Sequence, residues 1–323
     1  MRYSRSDRIA GLALVLVALM CSAAVLAAKP DGKSIKRARP PKWSNDVLDA
    51  FFEDARDKLV GPRPVYSQAP TVAAAANGTA ATPPEIQSGA TDAAWSKLID
   101  AETIEAEIKR LAQAAADDVA TPSKFKGGAY EDCRRHFSVL AMLFAVAAEY
   151  DGVVRWSDVA PALRDSFARA GYNCKVGTDQ TYQESLNRSH DLAELIRGIR
   201  PQVPPAERAA DWGQVSDRPP LMQRMEIAHQ ERLTKWLANE RQFVQNRDEV
   251  RHEAQLLATI AAVIAREGFD YWDDEQYAQY ARDLRQATSD IAAAAELENY
   301  DQAKQAISRA TKACTNCHDG YRE

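Results

Sequence analysis

From residue 93 onward the chain is patterned almost entirely for helix, and the pattern occurs twice. Alternating β-branched residues are scarce, while Ala, Leu, Arg, Glu and Gln dominate, as amphipathic helices require. Helices are predicted near 94–118, 131–150, 157–171 and 179–199, and again near 220–243, 247–267, 273–296 and 299–320. Between the two sets, Pro201 to Pro220 carries five prolines. Shifting the first set by 116 positions lays Arg135-His136 on Arg251-His252, Leu140 on Leu256, Ala145 on Ala261, Gly152 on Gly268 and Trp156 on Trp272. Phe144 then meets Ile260 as an apolar pair, and a two-residue adjustment brings Tyr182 onto Tyr300. Any two Ala-rich helices share a spacing of small apolar residues; a shared Arg-His pair, Gly and Trp at one register point to duplication. The expected fold is all-α: two tandem four-helix up-and-down bundles, 93–200 and 219–323, joined by a Pro-rich connector over 201–218.

The preceding residues read differently. Arg2, Arg5 and Arg8 precede an apolar stretch from Ile9 to Leu26, and Val25-Leu26-Ala27 offers a small-residue cleavage site. Residues 1–27 are expected to be a signal peptide. The alternative is an uncleaved anchor, against which polar Lys29-Pro30-Asp31 follows at once. Cys21 follows Met20, where a lipoprotein signal needs a small residue. Residues 28–60 hold a short amphipathic helix that Ser44 could cap, with Val47, Leu48, Phe51, Phe52, Ala55 and Leu59 on one face. Residues 61–92, rich in Ala, Thr, Pro and Gly, read as a disordered linker. Removing 1–27 takes away three Arg and one Asp, so the net charge goes from −5 to −7. No basic block remains for nucleic acid, and no second apolar run of spanning length follows, so no membrane partner is expected after signal cleavage.

The last helix of the second set carries Cys314-Thr315-Asn316-Cys317-His318. A C-x-x-C-H segment lets two thiols add to the two vinyl groups of one haem while the histidine reaches the iron. In the repeat register Ile196 to Arg200 stand opposite Cys314 to His318, so only the second copy can attach haem. A zinc site would need two further ligands at a recognisable spacing, and a redox dithiol would need a strand–helix setting; neither is legible. Export fits the attachment chemistry.

The run Lys312-Ala313-Cys314-Thr315-Asn316-Cys317-His318-Asp319-Gly320-Tyr321-Arg322, closing a fourth helix, resembles the end of the cytochrome c-prime family. The resemblance covers about 219–323 and reaches the first half only through the repeat. It implies a periplasmic four-helix bundle bearing haem c that transfers electrons or binds small gases. Some members leave the iron open, methionine-ligated relatives act as carriers, and homodimers occur.

Topology supplies the neighbours of the motif. In an up-down-up-down bundle the end of helix four lies beside the start of helix one, the end of helix two and the start of helix three. Helix one then offers Leu221, Met222, Met225 and His229. Met225 is the first candidate for a sixth iron ligand, with Met222 and His229 as alternatives. A Met stripe at this spacing also serves as ordinary core. The next turn offers Phe269, Tyr271, Trp272, Tyr277 and Tyr280 to cover the haem. The Trp156 counterpart of Trp272, in the copy without the motif, favours packing for that residue. Arg309, Lys312 and Arg322 lie near enough to tune the site, although such residues are more often solvated charges. Cys133 and Cys174 are brought together by antiparallel topology, and a disulfide between them would stabilise the fold by about 4 kcal/mol; two buried thiols are the alternative.

The expected function is one-electron transfer by a periplasmic cytochrome with one covalent haem c, its thioethers on Cys314 and Cys317 and its proximal ligand His318. The expected partner is a periplasmic redox protein, with a homodimer as a further option. No nucleophile–base pair or phosphate-binding loop suggests an enzyme. The alternatives are a five-coordinate site for NO or CO, and a haem module tethered to a partner-docking bundle.

Overall fold

The computed structural model describes residues 94–206 and 211–322. The expected signal peptide, N-terminal helix and linker lie outside the described residues. The described residues are mostly helical and include no strand. The longer elements are α1 (Ala101–Asp118), α2 (Tyr130–Ala148), α3 (Ala160–Asn173), α4 (Asp179–Ile196), α5 (Arg218–Glu226), α6 (Arg247–Val263), α7 (Glu275–Glu296) and α8 (Tyr300–Tyr321). None is long and apolar enough to cross a membrane.

Local chemistry fixes the helix starts. The Asp100 side chain accepts from Thr103 N at 2.7 Å, so α1 begins at Ala101 and only a 3₁₀ turn, Trp95–Lys97, occupies the earlier residues expected to be helical. Thr178 and Thr181 form a reciprocal capping box for α4. Asp274 caps α7 and Asn299 caps α8. The expected single helix 220–243 is interrupted. It runs as α5, passes through a π-helical turn at Ile227–Leu233 and ends with Thr234–Trp236. Asn239 then accepts from Gln242 N at 3.0 Å and starts a separate short helix, Glu240–Gln245.

Two helices organise the core. Every residue from Phe137 to Ala147 on α2 and from His252 to Val263 on α6 is buried. A helix buried around its whole circumference must be enclosed on all sides. α1 and α3 pack on α2, and α7 packs on α6 and α8. The first two helices of each repeat also face one another: α5 packs on α2, and α1 reaches α6. One continuous apolar core therefore runs through both halves.

Polar bonds cross the same junction. Arg224 of α5 donates from Nε and Nη2 to Glu107 Oε1 of α1 at 3.1 and 2.9 Å, and from Nη1 to Glu253 Oε2 of α6 at 2.7 Å. His252 Nε2 lies 2.9 Å from Glu107 Oε2, and Arg232 donates to the other oxygen of Glu253. The repeat-equivalent His136 also meets an α1 carboxylate, Asp118, at 2.7 Å. Near the start of α1, Arg251 and Gln255 both donate to Asp100 Oδ2, at 2.8 and 3.0 Å.

The end of the connector, from Asp211 on, is packed into the fold. Trp212 and Val215 are buried, and the Trp212 ring lies 5.7 Å from Trp95. The Arg266 guanidinium sits 4.6 Å from the centre of each ring, a cation–π contact on two faces. Gly213 lies so close to the turn after α6 that an added Cβ would stand 2.1 Å from Gly268 O, and Gly268 itself holds φ +99°. The expected Cys133–Cys174 disulfide is not formed. The two are buried free thiols, and Cys174 Sγ lies 3.2 Å from Ser185 Oγ.

Replacing Gly213 with Ala should therefore lower stability by about 3 kcal/mol, the cost of forcing a methyl into a backbone contact, and Tm by about 6–10 °C; calorimetry checks this. Burial alone would raise the Glu107 carboxyl, but the His252 hydrogen bond and the Arg224 charge outweigh it and hold it down from 4.5 to about 2. A depressed carboxyl stabilises the fold where it is ionised. Its contribution, about 3 kcal/mol, should be complete above pH ~4.5 and drain away as pH falls toward ~2. In denaturant titrations, the stability gap between the wild type and Glu107→Gln should narrow across that window.

Candidate haem site

The end of α8 borders a cavity of about 690 Å³ shared by α5, α6, α7 and α8, a volume in the range of cofactor sites. Cys314 and Cys317 sit one turn apart on α8, and both line it with His318 and Tyr321. Across from them α5 presents Met222, Met225 and Glu226, and the π-helical turn presents His229. Leu257, Ile264 and Leu284 supply apolar wall, and Tyr277 and Tyr280 complete it from α7.

α8 reaches this position because its inward stripe, Ala303, Ala306, Ala310 and Ala313, is small and buried, which lets it lie close along α7. At the cavity end the stripe passes to the cysteines. In the first half, by contrast, α4 stops at Ile196 and the backbone turns left-handed at Gly198, with φ 83°.

Burial pushes the Cys314 thiol up to about 11, with Cys317 adding to the shift. Burial also raises Cys317, against the pull of Arg218. A reactive C-x-x-C redox pair needs lowered thiols, so the electrostatics run opposite to that reading. His318 is exposed at the rim; burial lowers its pKa and Arg322 lowers it further, against Glu226 and Asp319. A neutral imidazole is the form that ligates metal.

Of the helix-one residues expected at the site, Met222, Met225 and His229 line the cavity. Leu221 does not. It is fully buried on the adjoining face with Arg224, three residues on, because residues three and four apart share one side of the helix. His229 Nε2 lies 2.9 Å from Thr311 Oγ1, whose hydroxyl donates to Ile307 O at 2.9 Å. The ring is thus left to donate from Nε2.

Among the expected aromatics, Tyr277 and Tyr280 line the cavity. Tyr271 packs on Tyr277 and Tyr321, with ring centres 5.9 and 5.1 Å away. Phe269 is buried in the core, and Trp272 is 38% exposed. Arg309 pairs with Asp290 at 2.5 Å and lies away from the cavity, Lys312 is exposed, and Arg322 lines the mouth. Sequence reasoning missed Arg218, Glu226 and Tyr321 as lining residues. Tyr321 could have been found, since it falls one turn beyond Cys317 and His318 on the same helix.

The Tyr277 hydroxyl tests the fit of a cofactor. It is buried on the cavity wall without a hydrogen-bond partner among protein atoms, and burial pushes it up to about 12 against the pull of Arg218. An orphaned buried hydroxyl is costly unless a bound group completes it. Residues 214–322 match the cytochrome C' family model. This cytochrome C' region begins inside the short connector helix Trp212–Val215 and takes in α5 to α8. The match implies a haem cofactor for the C-terminal part of the chain. No curated protein and no solved structure matches the chain.

Proposed function

We propose that this chain is an exported, periplasmic c-type cytochrome that carries one covalent haem and passes single electrons to a redox partner protein. The observation that carries the reading is the placement of Cys314, Cys317 and His318 on one cavity wall, opposite the Met222, Met225 and His229 stripe. When bound, the haem supplies a one-electron iron couple. Cys314 and Cys317 would hold it through thioethers, and His318 would ligate the iron.

The remaining residues define how the site would behave. Met225 is the candidate sixth ligand, buried and aimed at the cavity from α5; Met222 and His229 are the alternatives. A thioether opposite histidine raises the reduction potential and suits a carrier. Tyr277 and Tyr280 exclude water, and the Tyr277 hydroxyl is free to donate. The Leu257, Ile264 and Leu284 wall favours a second reading, a five-coordinate iron that binds NO or CO, because those side chains offer no ligand. We read the two halves as diverged copies of one bundle, with the haem retained only in the second. The first copy packs on α5 and α6, where it would replace the contact of a homodimer. Partner docking by the first copy is the remaining alternative. Export rests on the N-terminal sequence, and the role proposed is a carrier's rather than a catalyst's.

A pyridine haemochrome assay on protein matured in a competent host should return one haem per chain, retained through denaturing electrophoresis. Cys314→Ala/Cys317→Ala should abolish that retained haem. In the oxidised optical spectrum, methionine ligation gives a near-infrared band that Met225→Ala should remove. A broad high-spin Soret band in the wild type would instead select the gas-binding reading.

A further inference from the structure

Glu107 belongs to α1, in the half of the chain without a haem motif, yet it is 2% exposed and its partners are all in the haem half. Arg224, 4% exposed, takes Glu107 on one side and Glu253 on the other. Glu253 is 0% exposed and accepts from Arg224 on one oxygen and Arg232 on the other. Arg224 precedes the π-helical turn Ile227–Leu233, and Arg232 lies near its end. The carboxylate of Glu253 therefore spans the turn that carries His229.

The geometry of α5 makes this consequential. Leu221 and Arg224 of α5 and Ala228 of the π-helical turn form one buried stripe, while Met222, Met225, Glu226 and His229 line the cavity from the adjoining face. A helix pinned by a two-point charge-assisted hydrogen bond on its buried face cannot rotate or slide without breaking that bond. π-helical turns are rare single-turn insertions found frequently at functional sites. Unpairing one member of a buried ion network leaves an uncompensated charge, so the network acts as a unit.

We propose that Glu107 is a positioning residue for the haem site: from the haem-free half, through Arg224 and Glu253, it fixes the rotation of α5 and the π-helical turn, and so the placement of Met225 and His229 opposite the haem. The haem-free half thereby sets the ligand side of a cofactor that it does not touch. This inference rests on the haem reading above for its functional consequence, and on the ion network alone for its structural one.

The test is hydrogen exchange on the full chain, resolved by segment, for the wild type, Glu107→Gln and Glu249→Gln. Glu249 pairs with Arg110 at 2.6 Å, an exposed bridge across the same junction, and serves as the control. Glu107→Gln should speed exchange over 218–236 by about tenfold or more relative to α7 and α8, while Glu249→Gln should leave it unchanged. The holoprotein should also change its ligand-sensitive optical bands and reduction potential in Glu107→Gln, and not in Glu249→Gln. If Glu107→Gln does not accumulate as folded protein, Glu107→Asp, which keeps the charge but shortens its reach, is read in the same way. Loosening spread evenly over both halves, or no change over 218–236, overturns the proposal. The exchange measurement repeated for Glu107→Gln in the Cys314→Ala/Cys317→Ala background separates the two readings. Loosening confined to 218–236 there, in a protein whose wild type carries no covalent haem, would reject the haem and keep the positioning role.

Discussion

Everything in this molecule follows from two helices that cannot face water anywhere. α2 and α6 are buried around their full circumference over Phe137 to Ala147 and His252 to Val263. At about 25 cal/mol per Å² of apolar surface, leaving one side of either exposed would cost several kcal/mol. Each must be wrapped, and its own repeat supplies only part of the wrapping. The helices that open the two repeats close the remaining sides, and the two halves share one core.

That shared core explains where the charges go. Arg224 and Glu253 are buried because the first half covers them, and such a pair is tolerated only if fully compensated. Glu107 provides the compensation from across the junction. The end of the connector, a spacer by its proline content, is held by Trp212 packed on Trp95 and Arg266 and by the Gly213–Gly268 contact.

The cavity results from side-chain size along α8. Buried alanines bring this helix close to α7, and at its far end the cysteines and Tyr321 converge with Tyr277, Tyr280 and the α5 methionines on the cavity. A core that is well packed elsewhere but leaves room beside two thiols, an imidazole and an orphaned tyrosine hydroxyl is arranged for a ligand.

The sequence by itself determined the helical class, the repeat register and the residues around the C-x-x-C-H segment, because periodicity and antiparallel topology are local or nearly so. Topology alone placed Met222, Met225 and His229 beside the motif. It could not place Leu221, whose face was decided by the rotation of α5, nor foresee the break at Asn239, and it favoured a Cys133–Cys174 disulfide over the free thiols found. Only the tertiary structure decided that the repeats merge into one core and that Glu107 answers Arg224 across a separation of 117 residues. A buried charge finds its partner in space, and the spacing of residues along the chain holds no record of that meeting.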